Sequence, residues 1–495
     1  MTETAAATRS DRQLSLRTKF FYGFGSVAFG AKDSGFSYFL LIFYNQVMGL
    51  PALTVGLAIT IALFVDAFLD PIVGQISDNW RSKWGRRHPF MYASAIPVAL
   101  SYLLLWNPPA ALNHQGLFFY LIATAILIRS FITLYEIPSS ALAAELTTQY
   151  DERTRLLSYR YLFGWIGGLI MYLAALTLFL KPDAIHKVGQ LNPVGYAHYG
   201  MASAALMFFA ILVSSIGTHR EIPYLRVVPQ RKVGIATLAR EMMGTLANRS
   251  FLLILVACLC TAMAGGLSLS INLYFTTYFW ELSRVQIAIF TAASFLAAVF
   301  AFSAAPALSQ RFGKKSSAMV LLVAGVLVSG TPVTLRLLGL FPPNGSPILF
   351  PLLFLQNVIS VGLIVTANIL MQSMIADVVE DSELRTGRRS EGLFFAANAF
   401  VAKAVTGIGI FSSSMILAVV GFPQGAKPGH VDPEVIRHLG LVYVPTLLVL
   451  YGLAAAITSG YRITRASHEE SLRKLAAAAE LAEQGEPASS TSKLA

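Results

Sequence analysis

The chain has 495 residues, of which 55% are hydrophobic and only 13% are charged. Together with a mean hydropathy of +0.61, this composition excludes an ordinary soluble protein of this size. The formal net charge of +11 could suggest nucleic-acid binding, but the basic residues lie mainly in the loops between apolar segments. We therefore interpret the charge as a signal of membrane topology and expect no nucleic-acid partner.

Apolar segments long enough to cross a bilayer, about 20 residues each, recur along the whole chain. They lack the alternation of membrane β-strands and so predict helices rather than a barrel. The predicted spans are residues 20–48, 54–78, 90–109, 115–143, 155–180, 196–217, 251–280, 286–308, 315–340, 348–376, 391–421 and 438–463. The sequence thus predicts an all-α membrane protein with twelve transmembrane helices.

A polar stretch, residues 219–249, separates the first six predicted spans from the last six. The basic loop at residues 74–87, after span 2, has a shorter echo at residues 308–315, after span 8. Such equivalence indicates two pseudo-symmetric six-helix halves, which is typical of transporters with a site between the halves. The predicted divisions are an N-terminal segment (1–19), an N-terminal half (20–217), a linker (218–250), a C-terminal half (251–463) and a tail (464–495).

Lys and Arg are concentrated in the loops that would lie on the same side of the membrane as both termini. By the positive-inside rule, this side is the cytoplasm. We therefore expect an integral multi-pass protein of a bacterial-type plasma (inner) membrane, with cytoplasmic termini, linker and tail. We expect it to contact membrane lipid and to be a monomer.

Four acidic residues lie inside the predicted apolar spans: Asp33, Asp66, Asp70 and Glu136. An ionised carboxylate in the middle of a membrane helix costs about 2.5–3.5 kcal/mol on insertion scales, so each should face a polar cavity, a counter-charge or a bound cation. Asp66 and Asp70 are four residues apart and share one helix face, where like charges repel. Something positive should lie between them, or one should hold a proton.

The basic residues inside spans are Lys32, Arg129, Arg160 and Lys403. We expect Lys403 to pair with Asp66 or Asp70 in the empty site and to be released when a cation binds. Na⁺ prefers oxygen ligands, which the two aspartates and Thr133 could supply, whereas H⁺ needs a single carboxylate. No His/Cys cluster suited to a transition metal occurs in the sequence, and no cofactor is expected beyond a coupling ion, Na⁺ or H⁺.

Five ordered motifs extend over nearly the whole chain. They are Lys32-Asp33 in span 1, residues 66–71 (Asp-Ala-Phe-Leu-Asp-Pro) in span 2, residues 135–138 (Tyr-Glu-Ile-Pro) in span 4, residues 151–160 entering span 5, and residues 388–392 followed by Lys403 in span 11. Together they resemble the glycoside-pentoside-hexuronide:cation symporter family of the major facilitator superfamily. The resemblance implies the major facilitator fold.

The resemblance also implies roles for individual residues. Asp66 and Asp70 match carboxylates that bind the coupling cation, and they would ligate Na⁺ if the protein is sodium-coupled. Thr133 matches a hydroxyl near that ion, and Lys403 matches a lysine close to it. The residues that match or adjoin the family's sugar-binding positions are Lys32, Asp33, Glu136, Arg160 and Asn398.

A further set of charged residues lies in the loops that we assign to the cytoplasmic side. We interpret these residues as ion pairs of a cytoplasmic gate rather than as substrate ligands. They are Asp78, Arg81, Arg86, Arg87, Arg388 and Glu391.

Three residues depart from the family pattern. Leu69 replaces a polar residue expected between the two aspartates and removes a potential ion ligand, which leaves Na⁺ and H⁺ both open. Ser140 stands where sugar-transporting members have an aromatic stacking platform, so a galactoside is not supported. Arg129 has no counterpart in the family; it lies seven residues before Glu136, on the same helix face, and could neutralise it.

The favoured function is cation-coupled symport of a small hydroxylated solute, such as a sugar, glycoside or hexuronide, by alternating access. The alternative is symport of a lysophospholipid or another amphiphile, since Ser140 and the span 5 glycines Gly164, Gly167 and Gly168 could leave room for an acyl chain. A uniporter is less favoured because it would not need the asymmetric acid cluster. An enzyme is not expected, because no His lies in the core of a span to act as a base.

Overall fold

The computed structural model describes residues 14–147, 150–225, 249–386 and 391–461, and the described chain is helical with no strand. The all-α prediction is therefore confirmed. Eleven helical segments of the described chain are long and apolar enough to cross a membrane. The remaining predicted span, residues 20–48, is a helix broken by π turns.

This broken helix consists of α1 (Leu16–Phe24), α2 (Ser26–Ser34), a π turn (Gly35–Phe39), α3 (Leu40–Ile42) and a second π turn (Phe43–Val47). Single π turns inside α-helices occur frequently at functional sites. The first π turn begins two residues after Asp33. A Cβ atom on Gly35 would lie 2.1 Å from the Tyr102 hydroxyl, so this close approach requires glycine.

The longer helices follow in chain order. In the N-terminal part they are α4 (Ala52–Asn79), α5 (His88–Leu105), α6 (His114–Leu146), α7 (Tyr150–Ala174) and α8 (Pro193–His219). In the C-terminal part they are α9 (Arg249–Tyr274), α10 (Arg284–Phe312), α11 (Lys314–Leu337), α12 (Leu349–Thr386), α13 (Glu391–Val419) and α14 (Pro433–Ser459).

The helices pack as two groups, which we call the N-terminal half (α1–α8) and the C-terminal half (α9–α14). In the first, α2 packs on α7 and α8, α5 on α6 and α8, and α4 on α6; in the second, α9 packs on α13 and α14, and α12 on α10 and α11. The most extensive contact between the halves is that of α4 with α13. These two helices carry Asp66, Asp70 and Lys403, so the charged residues meet where the halves meet.

Small residues allow α2 and α7 to approach closely. A Cβ on Gly30 would lie 1.8 Å from the Gly164 carbonyl oxygen, and one on Gly168 would lie 3.1 Å from the Gly30 carbonyl oxygen. A Cβ on Gly167 would meet the Val27 backbone at 2.7 Å. Gly167 and Gly168 thus lie against α2, in the manner of small-residue contacts between membrane helices, and leave no room there for an acyl chain. A Cβ on Gly164 would make only ordinary contact with Ser26, at 3.7 Å, so the expectation stays a prediction at that residue.

The halves are joined by hydrogen bonds at the face of the bundle opposite to the one that holds Leu14 and Tyr461. Gln46 Nε2 donates to the Pro423 carbonyl (3.0 Å), while Gln46 Oε1 accepts from the Ala426 N–H (2.9 Å) and the Tyr278 hydroxyl (3.3 Å). Gln46 is 4% exposed. One buried side chain thus connects the N-terminal half to both the loop before α14 and the end of α9. We call this contact the Gln46 seal.

Replacing Gln46 by Ala removes these bonds, each worth about 0.5–1.5 kcal/mol, and should increase the population of a state open at this face. The measurement is the distance between spin labels on exposed positions of the two halves, at Ala110→Cys and Pro347→Cys, with Cys258 and Cys260 replaced. We expect a longer-distance component in Gln46→Ala. Gln46→Glu loses the donor and places a carboxylate oxygen against the Pro423 carbonyl, so it should also show the longer-distance component. An unaltered distance distribution in Gln46→Ala would contradict this role.

Candidate functional site

Asp66 and Asp70 lie one turn apart on α4 and face Thr133 on α6. The Thr133 hydroxyl oxygen is 2.9 Å from Asp66 Oδ1 and 3.1 Å from Asp70 Oδ1. Asp66 and Thr133 are buried, while the Asp70 side chain is 20% exposed. The i,i+4 spacing seen in the sequence thus places both carboxylates on the face that α4 presents to α6.

Arg129 lies one turn before Thr133 on α6 and pairs with Asp66. Its Nη1 donates to Asp66 Oδ2 at 2.9 Å, and its guanidinium carbon lies 4.6 Å from the centre of the Phe36 ring. Both members of the pair are buried, with side chains 6% and 2% exposed. We expected Arg129 to neutralise Glu136. The structure shows instead that it forms an ion pair with Asp66 across the α4–α6 contact.

Lys403 reaches the same acids from α13, in the other half. Its Nζ lies 2.5 Å from Asp70 Oδ2 and 3.6 Å from Asp66 Oδ2. The expected pairing of Lys403 with this aspartate pair is thus present, and its main partner is Asp70. The Lys403–Asp70 pair joins the two halves, whereas the Arg129–Asp66 pair lies within one half.

Lys32 and Asp33 form an ion pair at the end of α2. Lys32 Nζ lies 2.8 Å from Asp33 Oδ1, and 4.6 Å from the centre of the Phe29 ring. The Lys32 side chain is 3% exposed, whereas the Asp33 side chain is 44% exposed. Asp33 therefore keeps acceptor capacity on its open side.

Glu136 and Arg160 bring α6 and α7 together. Arg160 donates to the Ser139 hydroxyl at 2.7 Å and to the Glu136 backbone carbonyl at 3.2 Å. The Glu136 carboxylate makes no hydrogen bond or ion pair with the part of the chain that the structure describes, although Lys403, Lys32 and Arg160 are close enough to act on it electrostatically. A carboxylate that has bases nearby but no direct partner can accept a hydrogen bond from a hydroxyl group of a solute.

The predicted gate residues of the N-terminal half lie at the face that holds Leu14 and Tyr461. Arg87 pairs with Asp78, and Arg86 and Arg87 both contact Glu145 Oε1 at 2.8 Å. Arg81 is exposed and has no ion-pair partner among the residues described. Arg388 and the side chains of Glu391 and Asn398 lie outside the described residues.

Sequence reasoning missed two polar residues of this arrangement. Glu145, in the last turn of α6, is an acid that both Arg86 and Arg87 contact, and its position after an apolar run was the signal that could have identified it. Ser139 follows Pro138 and carries no distinctive pattern, so its contact with Arg160 depends on the packing of α6 against α7. In the C-terminal half, Lys314 and Asp377 form a comparable ion pair at 2.6 Å.

The described residues contain no group of three or more His, Cys, Asp or Glu side chains arranged to hold a metal ion. What the site offers instead is a cluster of opposite charges between the halves, with two carboxylates, Asp33 and Glu136, that retain free acceptor positions. Such a cluster can bind a polar solute through hydrogen bonds, and its ion pairs can be exchanged for contacts with a cation.

Residues 21–465 match the family described as MFS/sugar transport protein. An uncharacterized symporter of Synechocystis sp. is 28% identical over 94% of this chain and 98% of its own length. A putative glycoside/cation symporter of Escherichia coli is 27% identical, covering 94% and 95% of the two chains. A protein of the same organism named glucuronide carrier protein homolog is 24% identical, covering 93% and 95%.

Solved structures with a similar fold include a D-xylose–proton symporter, with a TM-score of 0.62 and 14% identity over 90% of this chain and 98% of the other. The nucleoside transporter NupG has a TM-score of 0.60 and 14% identity, covering 90% of this chain and 99% of the other. These similarities show that the helices are arranged as in major facilitator transporters.

Replacing Asp66 by Asn should destabilise the protein, because it leaves the buried Arg129 charge without its partner. Breaking a buried ion pair costs about 3–5 kcal/mol, so the melting temperature in detergent should fall markedly. Arg129→Gln combined with Asp66→Asn should recover much of the loss, since no buried charge remains unpaired. Asp183→Asn, in an exposed loop, is the control. A melting temperature for Asp66→Asn equal to that of the control would contradict the pairing.

Proposed function

The chain belongs to the MFS/sugar transport protein family, and from that premise we propose that it is a secondary active transporter. It moves a small hydroxylated solute, such as a sugar, glycoside or hexuronide, together with a cation, Na⁺ or H⁺, by alternating access. The protein lies in the plasma membrane with both termini in the cytoplasm. The symporter and glycoside/cation symporter names of its relatives support this proposal.

The observation that carries the solute proposal is the Glu136 carboxylate, which lies beside Arg160, Lys32 and Lys403 but has no direct bond to any residue that the structure describes. A polyol needs acceptors for its hydroxyl protons and donors for its oxygens, and a guanidinium and a carboxylate supply both in fixed geometry. Asp33, whose side chain is 44% exposed, adds a second acceptor. No enzyme activity is needed to account for these residues.

The coupling proposal is supported by the different placement of the two ion pairs. Arg129 and Asp66 lie in one half and can stay together while the halves rock. Lys403 and Asp70 belong to different halves, so this pair must change when α4 and α13 separate. A cation that neutralises Asp70 competes with Lys403 and thereby links ion binding to the movement of the halves.

Uptake by purified protein in lipid vesicles tests the function directly. Glycosides, hexuronides, free sugars and lysophospholipids are offered in turn, with Na⁺ and H⁺ gradients imposed separately. We expect accumulation of at least one hydroxylated solute above its equilibrium level under one of the gradients. Accumulation of lysophospholipid alone, or equilibration of a solute without any response to either gradient, would contradict the proposal.

Glu136→Ala and Asp33→Ala should each weaken binding of the transported solute. A hydrogen bond to a charged group is worth about 1.5–3 kcal/mol, which corresponds to a loss of roughly 10-fold to 150-fold in affinity. Calorimetric titration of the purified variants measures the change. Asp183→Ala, which removes an exposed acid of the loop after α7, should bind with the affinity of the parent. Unchanged affinity in Glu136→Ala would remove this residue from the solute site.

Asp70→Asn should abolish gradient-driven accumulation while leaving exchange of solute between the two sides. The neutral amide keeps the shape of the side chain but neither attracts a cation nor requires Lys403 as a counter-charge. Active uptake and solute counterflow are measured on the same vesicles, and Asp183→Asn, in an exposed loop outside the site, serves as the control for an acid-to-amide change. Full accumulation by Asp70→Asn would show that the cation acts elsewhere.

A further inference from the structure

Arg129 introduces a permanent cation at the position where a coupling metal ion would bind. An arginine side chain stays protonated at every accessible pH, and this one is 6% exposed and bonded to Asp66 Oδ2. Its Nε has no hydrogen-bond partner in the described structure, and its guanidinium carbon lies 4.6 Å from the centre of the Phe36 ring. The guanidinium therefore lies between Asp66 and an aromatic ring and is almost fully buried.

The charges of the aspartate pair balance without a metal ion. Asp66 and Asp70 contribute two negative charges, and Arg129 and Lys403 contribute two positive charges at contact distances. With Lys403 alone, one negative charge would be left for Na⁺. With Arg129 also present, the aspartate pair is already neutral, so Na⁺ could enter only by displacing Lys403 from Asp70 or by adding a positive charge that membrane interiors disfavour.

The oxygen ligands are also engaged. Asp66 Oδ2 accepts from Arg129, Asp70 Oδ2 accepts from Lys403, and the Oδ1 atoms of both aspartates lie at hydrogen-bond distance from Thr133. Leu69, between the aspartates, offers no oxygen. Na⁺ needs a set of such oxygens directed at one point, and the residues present do not fit that requirement.

We propose that Arg129 takes the place of a coupling metal cation at Asp66, so that this transporter does not bind Na⁺ at the aspartate pair. Arg129 is then the residue that determines ion specificity. Because Arg129 and Asp66 lie in the same half, movement of the halves does not separate them. Arg129 therefore occupies the place of the metal cation in every state of the transport cycle. The inference rests on the proposed function for its meaning in transport, but the ion binding itself can be measured without transport.

Binding of Na⁺ to the purified protein provides the test. The melting temperature is followed as NaCl replaces choline chloride at constant ionic strength, up to about 100 mM, where a bound ion stabilises by mass action. We expect no difference between the two salts for the parent protein. Arg129→Gln keeps a hydrogen-bond donor near Asp66 without the charge, and it should gain a Na⁺-dependent rise in melting temperature. Arg129→Lys keeps the charge and should remain indifferent to Na⁺.

Na⁺-dependent stabilisation of the parent protein would overturn the inference, and this result needs no variant to fold. A folded Arg129→Gln that gains no response to Na⁺, also when combined with Leu69→Asn to restore an oxygen ligand, would show that Arg129 is not what excludes the ion. Failure of the proposed function is separate, because it would appear as absent uptake in vesicles whatever the melting curves show.

Discussion

The structure depends on the requirement that charge inside an apolar helix bundle be compensated. Four acids and four bases lie in the interior of the predicted spans, away from the span ends, and a charge there is costly unless opposite charges lie nearby. Three pairs meet the requirement: Lys32 with Asp33, Arg129 with Asp66, and Lys403 with Asp70. The pairs draw α4, α6 and α13 together and so determine where the two halves touch.

The ion pairs differ in whether movement of the two halves separates their members. Arg129–Asp66 connects neighbouring helices of one half and acts as a fixed element. Lys403–Asp70 connects the halves between α4 and α13, and the Gln46 seal connects them at one face. A transporter that alternates between two open states must break the seal while rearranging the central pair, which is why we assign these two contacts to the conformational cycle and Glu136 to the solute.

Much of the helical fold and of the charged cluster could be predicted from the sequence, because the length of an apolar segment and the charges inside it are local properties of the chain. The helical fold and the importance of Asp66, Asp70 and Lys403 followed from apolar runs interrupted by single charges. Partners on other helices could not be read in the same way. Spacing along one helix assigned Arg129 to Glu136, but α6 packs on α4 and Arg129 donates a hydrogen bond to Asp66 on α4. Gly167 and Gly168 of α7 were interpreted as free space, whereas α2 packs against them.

The Glu136 carboxylate lies beside Lys403, Lys32 and Arg160 without a direct partner among the described residues, and we propose that the solute binds there. The most direct measurement is an experimental structure of the protein with its transported solute bound. We expect a solute hydroxyl within hydrogen-bond distance of the Glu136 carboxylate, with Arg160 beside the solute between the two halves. A solute bound elsewhere, with Glu136 paired to a protein side chain instead, would contradict it.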